Sequence, residues 1–383
     1  MDGVRRYVDK IREKLRIKAL FNAAIDVPLP VTVNFRPSCA MIGDAMLCTN
    51  LQDVSLVKID ALTSRIVSFE TVLPEGNYKI AACKSKGVFF VADPCHVMAI
   101  DTNGNVLSKL RTVDYPPNQR TEQKVQSFAC DESSNTNVSV VQTDDLFYET
   151  LTLLKWTGKA FERLGGLLDL NYFKLQEETG HHMAKIDRPR RRFMQHREPA
   201  PSPSTVQLLS PLHFTAMVGE YNDPNEEDVC LLFDVEQGFS ERGNRKILKA
   251  TPSKEVNLPP HFSCFTNLEP RFEVCALLKH DMANRLHPPT LEFFSDLTTP
   301  IMQIPLRDRS VALCSGNEAH QFCLCRVSES EDLETKFLAV DMFKYHTALP
   351  EVSMSGALPT AVSLALVHGT GHNQRINPSH IVK

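Results

Sequence analysis

From residue 31 onward the hydrophobic and polar positions exchange every few residues. Short apolar runs of strand length follow one another, each bounded by Gly, Pro, Asn, Asp or Ser. The stretch GVFFVADPCHVMAIDTNGNVLSKLRT, residues 87–112, reads as three strands and two tight turns. Its Asn103-Gly104-Asn105 turn suits a hairpin, because Asn and Gly accept positive φ. With YKIAAC before it, the stretch makes a group of four strands. Similar groups recur roughly every 45 residues once one long interruption is set aside, which is the period of a propeller blade. A lone sheet of this kind cannot bury both faces, whereas stacked sheets cover one another. The pattern therefore predicts an all-β chain, a six- or seven-bladed β-propeller of four-stranded blades, over residues 31–367. Two packed β-sandwiches would also give many short strands, and the recurrence argues against them.

Residues 1–27 follow a different period. Val4, Val8, Ile11 and Leu15 fall on one stripe at helical spacing, between charged residues such as Arg5, Arg6, Lys10 and Arg12. They predict an N-terminal amphipathic helix, stopped by the prolines of DVPLP. Its apolar stripe can pack on the domain or dock into a partner, and its charges can meet an acidic surface. The first and last strand groups each lack a member. Strands from both ends of the chain are thus expected to share one blade, with VTVNF (31–35) and TAVSLALV (360–367) as candidates.

The interruption, residues 172–204, is polar, then basic, then proline-rich, and reads as a long inserted loop. Lys185, Arg188, Arg190, Arg191, Arg192 and Arg197 stand there against Asp187, with Phe193 and Met194 among them. A solvated loop, a nuclear-import or acidic-partner peptide, and a phosphate-backbone contact with nucleic acid all fit such a run. Ser202-Pro203 and Ser210-Pro211 have the form of proline-directed phosphorylation sites, and phosphate on them would partly neutralise the basic run. Residues 368–383 read as a flexible tail.

Composition changes this picture little. The chain has 383 residues, 42% hydrophobic, with a net charge of −4, so no global charge draws it to nucleic acid or an anionic membrane. Its eleven cysteines sit mostly inside apolar runs, and the charged N-terminus carries no apolar signal region. Free thiols in a reducing compartment are expected, in the cytoplasm, the nucleus or both. No apolar run reaches the length of a membrane span.

Candidate chemistry is sparse. CSGNEAHQFCLC holds Cys314, His320, Cys323 and Cys325, four possible zinc ligands, but without a CxxC knuckle. Cys323 and Cys325 would share one strand face, which suits a sheet core better than a metal site. His181, His182, His368 and His372 have no carboxylate pattern beside them. Asp93 and Asp101 sit at strand ends, where turn capping is the ordinary role. There is no GxSxG elbow, P-loop, GxGxxG or HExxH, so no enzyme, cofactor or metal is expected from local motifs.

SLVKID followed by GVFFVADPCHVMAIDTNGNV resembles the repeats of NHL-type and related WD-like β-propellers. The single tryptophan, Trp156, and the missing GH and WD signatures exclude regular WD40 repeats. The resemblance implies a non-enzymatic propeller scaffold for protein–protein interactions within an intracellular complex. Contacts would run through the N-terminal helix, the propeller faces and the 185–197 run. An RNA-binding NHL-like propeller is the alternative, as some NHL propellers use a basic face. A metal-dependent hydrolase with a central-channel site stands behind it, since such sites leave no local motif.

Overall fold

A computed structural model describes residues 15–28, 37–49, 53–112, 124–130, 137–143, 149–165, 168–170, 206–218, 229–239, 246–259, 262–280, 287–329 and 335–347. Among them there are strands, turns and two single 3-10 turns, and no α-helix. The first element is a strand, β1 (Leu15–Pro28). Then come five sheets in chain order, each a meander of antiparallel neighbours. The first sheet holds β2 (Cys39–Ile42), β3 (Ala45–Cys48), β4 (Val54–Asp60) and β5 (Arg65–Leu73). The second holds β6 (Lys79–Cys83), β7 (Val88–Ala92), β8 (His96–Asp101) and β9 (Val106–Arg111). The third holds β10 (Lys124–Cys130), β11 (Asn137–Thr143) and β12 (Glu149–Trp156). Its outer position is split between two short strands, β13 (Phe161–Arg163) and β14 (Leu168–Asp169), both paired to β12.

The fourth sheet holds β15 (Val206–Ser210), β16 (His213–Val218), β17 (Val229–Phe239) and β18 (Lys246–Val256). The fifth holds β19 (Phe262–Asn267), β20 (Cys275–Lys279), β21 (Thr290–Ser295) and β22 (Thr299–Pro305). The sixth runs β23 (Ser310–Ser315), β24 (Gln321–Glu329), β25 (Thr335–Thr347), and its fourth strand is β1. The fold is all-β, six antiparallel meanders with the blade pattern of a six-bladed propeller.

Two expectations are corrected here. No N-terminal helix is present from Leu15 onward: Leu15 heads β1, and Val4, Val8 and Ile11 lie outside the described residues. The reason is long-range pairing. β1 lies antiparallel to β25 from Leu15↔Thr347 to Pro28↔Thr335, and such a ladder overrides a short helical period. Leu15, Ile17 and Ala19 alternate with Arg16 and Lys18, a period of two that is visible once the partner is known. One blade is indeed completed by strands distant in sequence. They are β1 and β25, whereas residues 31–35 and 360–367 lie outside the described residues.

The chain divides into two compact units. One comprises residues 1–37, 58–68 and 262–383, the other 38–57 and 69–261. Within the second unit, β7 shows how a blade is built. Phe89 and Val91 join a core with Leu47, Leu56, Ile80 and Ile100. Phe90 and Ala92, on the opposite face, join Val138, Leu154, Trp156 and Phe161. All four β7 residues are fully buried. This is why VFFVA reads as unbroken hydrophobic sequence: a strand covered on both sides has no polar face to alternate with. Each of these phenylalanines stabilises by about 2 kcal/mol through burial alone. A third core gathers Leu151, Leu153, Leu208, Phe214, Phe233 and Val235, with Phe214 and Phe233 stacked at 5.1 Å. In the first unit, Leu278, Phe293, Leu313, Phe322, Phe343 and Tyr345 form the core between the fifth and sixth sheets.

Candidate functional site

Two turns and a strand end converge on one group of polar side chains in the first unit. Glu269 sits in the β19–β20 turn, His320 closes the β23–β24 turn, and Tyr345 lies near the end of β25. The Tyr345 hydroxyl donates to Glu269 Oε1 at 2.5 Å, with the Leu268 carbonyl at 3.2 Å. His320 Nδ1 lies 2.5 Å from the same carboxylate oxygen, and the two rings meet edge to face at 5.4 Å. The Tyr345 backbone N–H donates to the His320 carbonyl at 2.9 Å, locking the turn to the strand.

Exposure differs along this relay. The Tyr345 side chain is buried, Glu269 is 17% exposed and His320 is 48% exposed. Burial, and then the Glu269 carboxylate beside it, holds the Tyr345 hydroxyl well above the ordinary tyrosine range. A carboxylate on Nδ1 fixes that nitrogen as the protonated one, which leaves Nε2 as the ring nitrogen available to a partner.

The surrounding backbone is strained. Arg271 (φ 56°) and Phe272 (φ 62°) lie in the β19–β20 turn, Asp296 (φ 54°) and Leu297 (φ 62°) in the β21–β22 turn, and His320 has φ 62°. The left-handed region costs a non-glycine residue of order 1 kcal/mol, and such residues persist only where the surroundings over-determine them. The surroundings do so here: the Asp296 N–H donates to the Phe272 carbonyl at 3.1 Å, and Phe272 and Leu297 are buried. Five of the six positive-φ non-glycine residues among the described residues fall in these three turns. The outcome is a preset surface with one half-exposed imidazole backed by a carboxylate.

A second polar network lies deeper in the same sheet. Arg326 Nε donates to Asp341 Oδ2 at 2.5 Å and its Nη1 to Asp308 Oδ2 at 2.7 Å, while Asn22 Nδ2 donates to Asp341 Oδ1. All three charged side chains are at most 15% exposed. Burial alone would lower the arginine's pKa, and the two carboxylates outweigh it and raise it further. This network joins β1, β25, β24 and the residue 308 turn, and its role is cohesion.

In the second unit, Ser210, His213 and Asp234 form a local relay. Ser210 Oγ lies 2.6 Å from His213 Nδ1, and His213 Nε2 lies 3.5 Å from Asp234 Oδ1. Ser210 and His213 are register partners across the β15–β16 turn, and His213 faces Asp234 across β16 and β17. Burial pushes the His213 pKa down, with Asp234 working against it. Hairpin pairing alone places these three residues together, so no nucleophilic role is needed to explain them.

The candidates read from sequence fall out unevenly. Leu15 lies in β1, and Ser210 is half-buried with its hydroxyl engaged by His213. Arg188, Arg190, Arg191, Arg192, Phe193 and Ser202 lie outside the described residues. The cysteine cluster is a core: Cys314 faces Cys323 across β23 and β24, and with Cys325 all three are buried. Burial raises the Cys323 thiol well above the ordinary range. His320 is drawn away from them to Glu269, and no group of three metal-ligating side chains occurs among the described residues. Asp93 accepts from the N–H groups of Cys95 and His96, and Asp101 from those of Asn103 and Asn105, so both cap turns. Glu269 and Tyr345 carried no sequence signal, because the site is assembled from separate hairpins.

No protein-family profile matches the chain, and no curated protein matches it. Solved structures do resemble it. The β-propeller domain of Myceliophteria thermophila Cps50 (Swd1) is 9% identical with a TM-score of 0.42, covering 84% of this chain and 99% of that one. The Neurospora crassa Pan2 WD40 domain is 6% identical with a TM-score of 0.38, covering 85% and 95%. The structure of U3-55K is 10% identical with a TM-score of 0.41, covering 85% and 98%. Among the described residues no helix is long and apolar enough to cross a membrane.

Proposed function

We propose that the protein is a non-enzymatic β-propeller scaffold that holds partner proteins together as a subunit of an intracellular complex, in the cytoplasm or nucleus. The observation that carries this reading is the gathering of strained turns around Glu269, His320 and Tyr345. Strain maintained at one sheet end, beside a half-exposed histidine, supports a surface kept rigid for recognition. A buried tyrosine and a carboxylate orient the imidazole, and no set of metal ligands accompanies them among the described residues. Phosphorylation at Ser202 and Ser210 is proposed as a regulator of partner binding. At Ser210 the hydroxyl must first leave His213.

The test is affinity purification of the tagged full chain, with and without nuclease, beside a His320→Ala and a Glu269→Gln variant. Stoichiometric, nuclease-resistant partners that are lost from the variants are the expected result. Partners that vanish with nuclease, or nucleic acid recovered and then lost on replacing Arg190, Arg191 and Arg192 by alanine, would favour the RNA-binding reading instead.

A further inference from the structure

The outer edge of the last blade, as far as the described residues define it, carries an unusual arrangement of charge. β1 is the outermost strand of its sheet, and no described strand lies beyond it. At its first turn-side residues, Arg16 faces His346 and Lys18 faces Lys344. Directly opposed residues project from the same face, so these four basic side chains share one patch. Their Cβ atoms are spaced by about 5 Å across the strands and about 7 Å along them. Arg16, Lys18 and His346 are exposed and Lys344 is half-buried. Among the described residues none of the four makes an ion pair or a side-chain hydrogen bond. One carboxylate stands at the margin: Gln321, opposite Lys344 on β24, donates through Nε2 to Glu318 Oε2 at 3.0 Å.

Like charges directly opposite each other destabilise a sheet. The fifth blade shows the ordinary solution, where Glu292 on β21 takes Lys279 at 3.7 Å on one side and Gln303 at 3.0 Å on the other. Lysine on an edge strand, with a bulge, also blunts unwanted strand pairing, and β1 has a bulge between Ala19 and Phe21. Blunting, however, needs charge of either sign, while here two alternate rungs, neighbours on one face, carry only basic residue types on both strands. The bulge also bounds the flat part of the edge to Leu15–Ala19, with Leu20, 40% exposed, at its end.

We propose that this edge docks an extended acidic segment of a partner protein, which adds as a strand to β1 and places carboxylates at alternate positions beside Arg16 and Lys18. The spacing carries the specificity: residues two apart in an added strand face the same side as Arg16 and Lys18, which are themselves two apart. Lys344 extends the positive field behind them. The chain's net charge of −4 opposes a long polyanion and leaves room for a short acidic segment. The site rests on the scaffold reading and gives one of its contacts a chemistry.

The probe is a short fluorescent peptide alternating Glu and Val, titrated by anisotropy against the full chain at low and high salt. Controls are a version N-methylated on alternate amides and a block-scrambled version of equal charge. Lys18→Glu with Lys344→Glu, and separately Arg16→Gln, are expected to weaken binding, the charge reversals roughly tenfold. Circular dichroism of each variant separates lost binding from lost folding. N-methylation and scrambling are expected to weaken it too. Unchanged affinity in the folded variants overturns the site, and equal binding of the controls overturns strand addition. Stronger binding of an oligothymidylate at the same residues overturns the choice of partner. If the tagged chain recovers the same partners with and without these charges, this site falls and the scaffold reading stands. If it recovers none while the peptide binds as expected, the site stands and the scaffold reading falls.

Discussion

Asn22 and Asp341 face each other across β1 and β25, and the amide of one donates to the carboxylate of the other. The contact ties the first described strand to the last, and it does so inside a buried arginine–aspartate network. Asp341→Ala leaves Arg326 with one carboxylate in place of two in a site largely closed to water. The expected loss is about 3 kcal/mol, read as a fall in the denaturant midpoint. Asn22→Ala removes one hydrogen bond and should cost about 1 kcal/mol. Equal effects from the two variants would mean that the charge network is not what holds β1.

Tyr345 makes stability depend on alkaline pH. Its pKa is raised in the folded chain, so its contribution is fully present below the ordinary tyrosine value and is lost as pH climbs above it. The denaturant midpoint should therefore fall from about pH 10 upward, as expected for an unfolded tyrosine of ordinary pKa. Tyr345→Phe should be less stable at neutral pH, having lost its bond to Glu269, and its alkaline slope should be shallower. Retention of the full slope in that variant would assign the effect elsewhere.

Thiol reactivity should be sharply graded. Of eleven cysteines only Cys95 is exposed. Cys130 and Cys264 are half-buried, with their sulfurs on the carbonyls of Ala82 and Pro37. Burial pushes the Cys230 thiol to about 11 and raises Cys323 as well. A thiol reagent at neutral pH should label Cys95 first and the others only with unfolding. Early labelling of Cys230 or Cys323, located by peptide mapping, would contradict the packing of their blades.

Gly104 has φ +87°, and a Cβ there would lie 3.1 Å from Val72 Cγ2. Gly104→Ala should cost about 1–2 kcal/mol, combining backbone strain with that close approach. Gly43 also has positive φ but open space around it, so Gly43→Ala should cost less. Thermal unfolding of the pair separates strain from crowding.

Much of the fold was legible because blades are local. VFFVA, the Asn103–Asn105 turn and the four runs of each later group depend on neighbours only a few residues away. The N-terminus misled for the opposite reason. The partner of Leu15 is Thr347, and no window of sequence contains both, so a helical stripe was the only local signal. The first blade hid its inner strand because CAMIGDAMLC folds back on itself at Gly43 and reads as one run. The site was illegible for a similar reason. His320 stood out among cysteines that it does not join, and its actual neighbours, Glu269 and Tyr345, come from another turn and from the end of β25.

The pairing of β1 with β25 also sets an order in time. On a ribosome β1 emerges ahead of the other described strands, and its partner follows only after some three hundred further residues. At ordinary rates of synthesis that is roughly half a minute. Through that interval the middle blades can form as they appear, while β1, the longest described strand, waits for β25. An edge with charged residues and a bulge pairs poorly with wrong strands, and β1 has both. The last blade is begun first and completed last, and a chain cut short before Thr335 would hold five blades, the β23–β24 hairpin and one unclaimed strand.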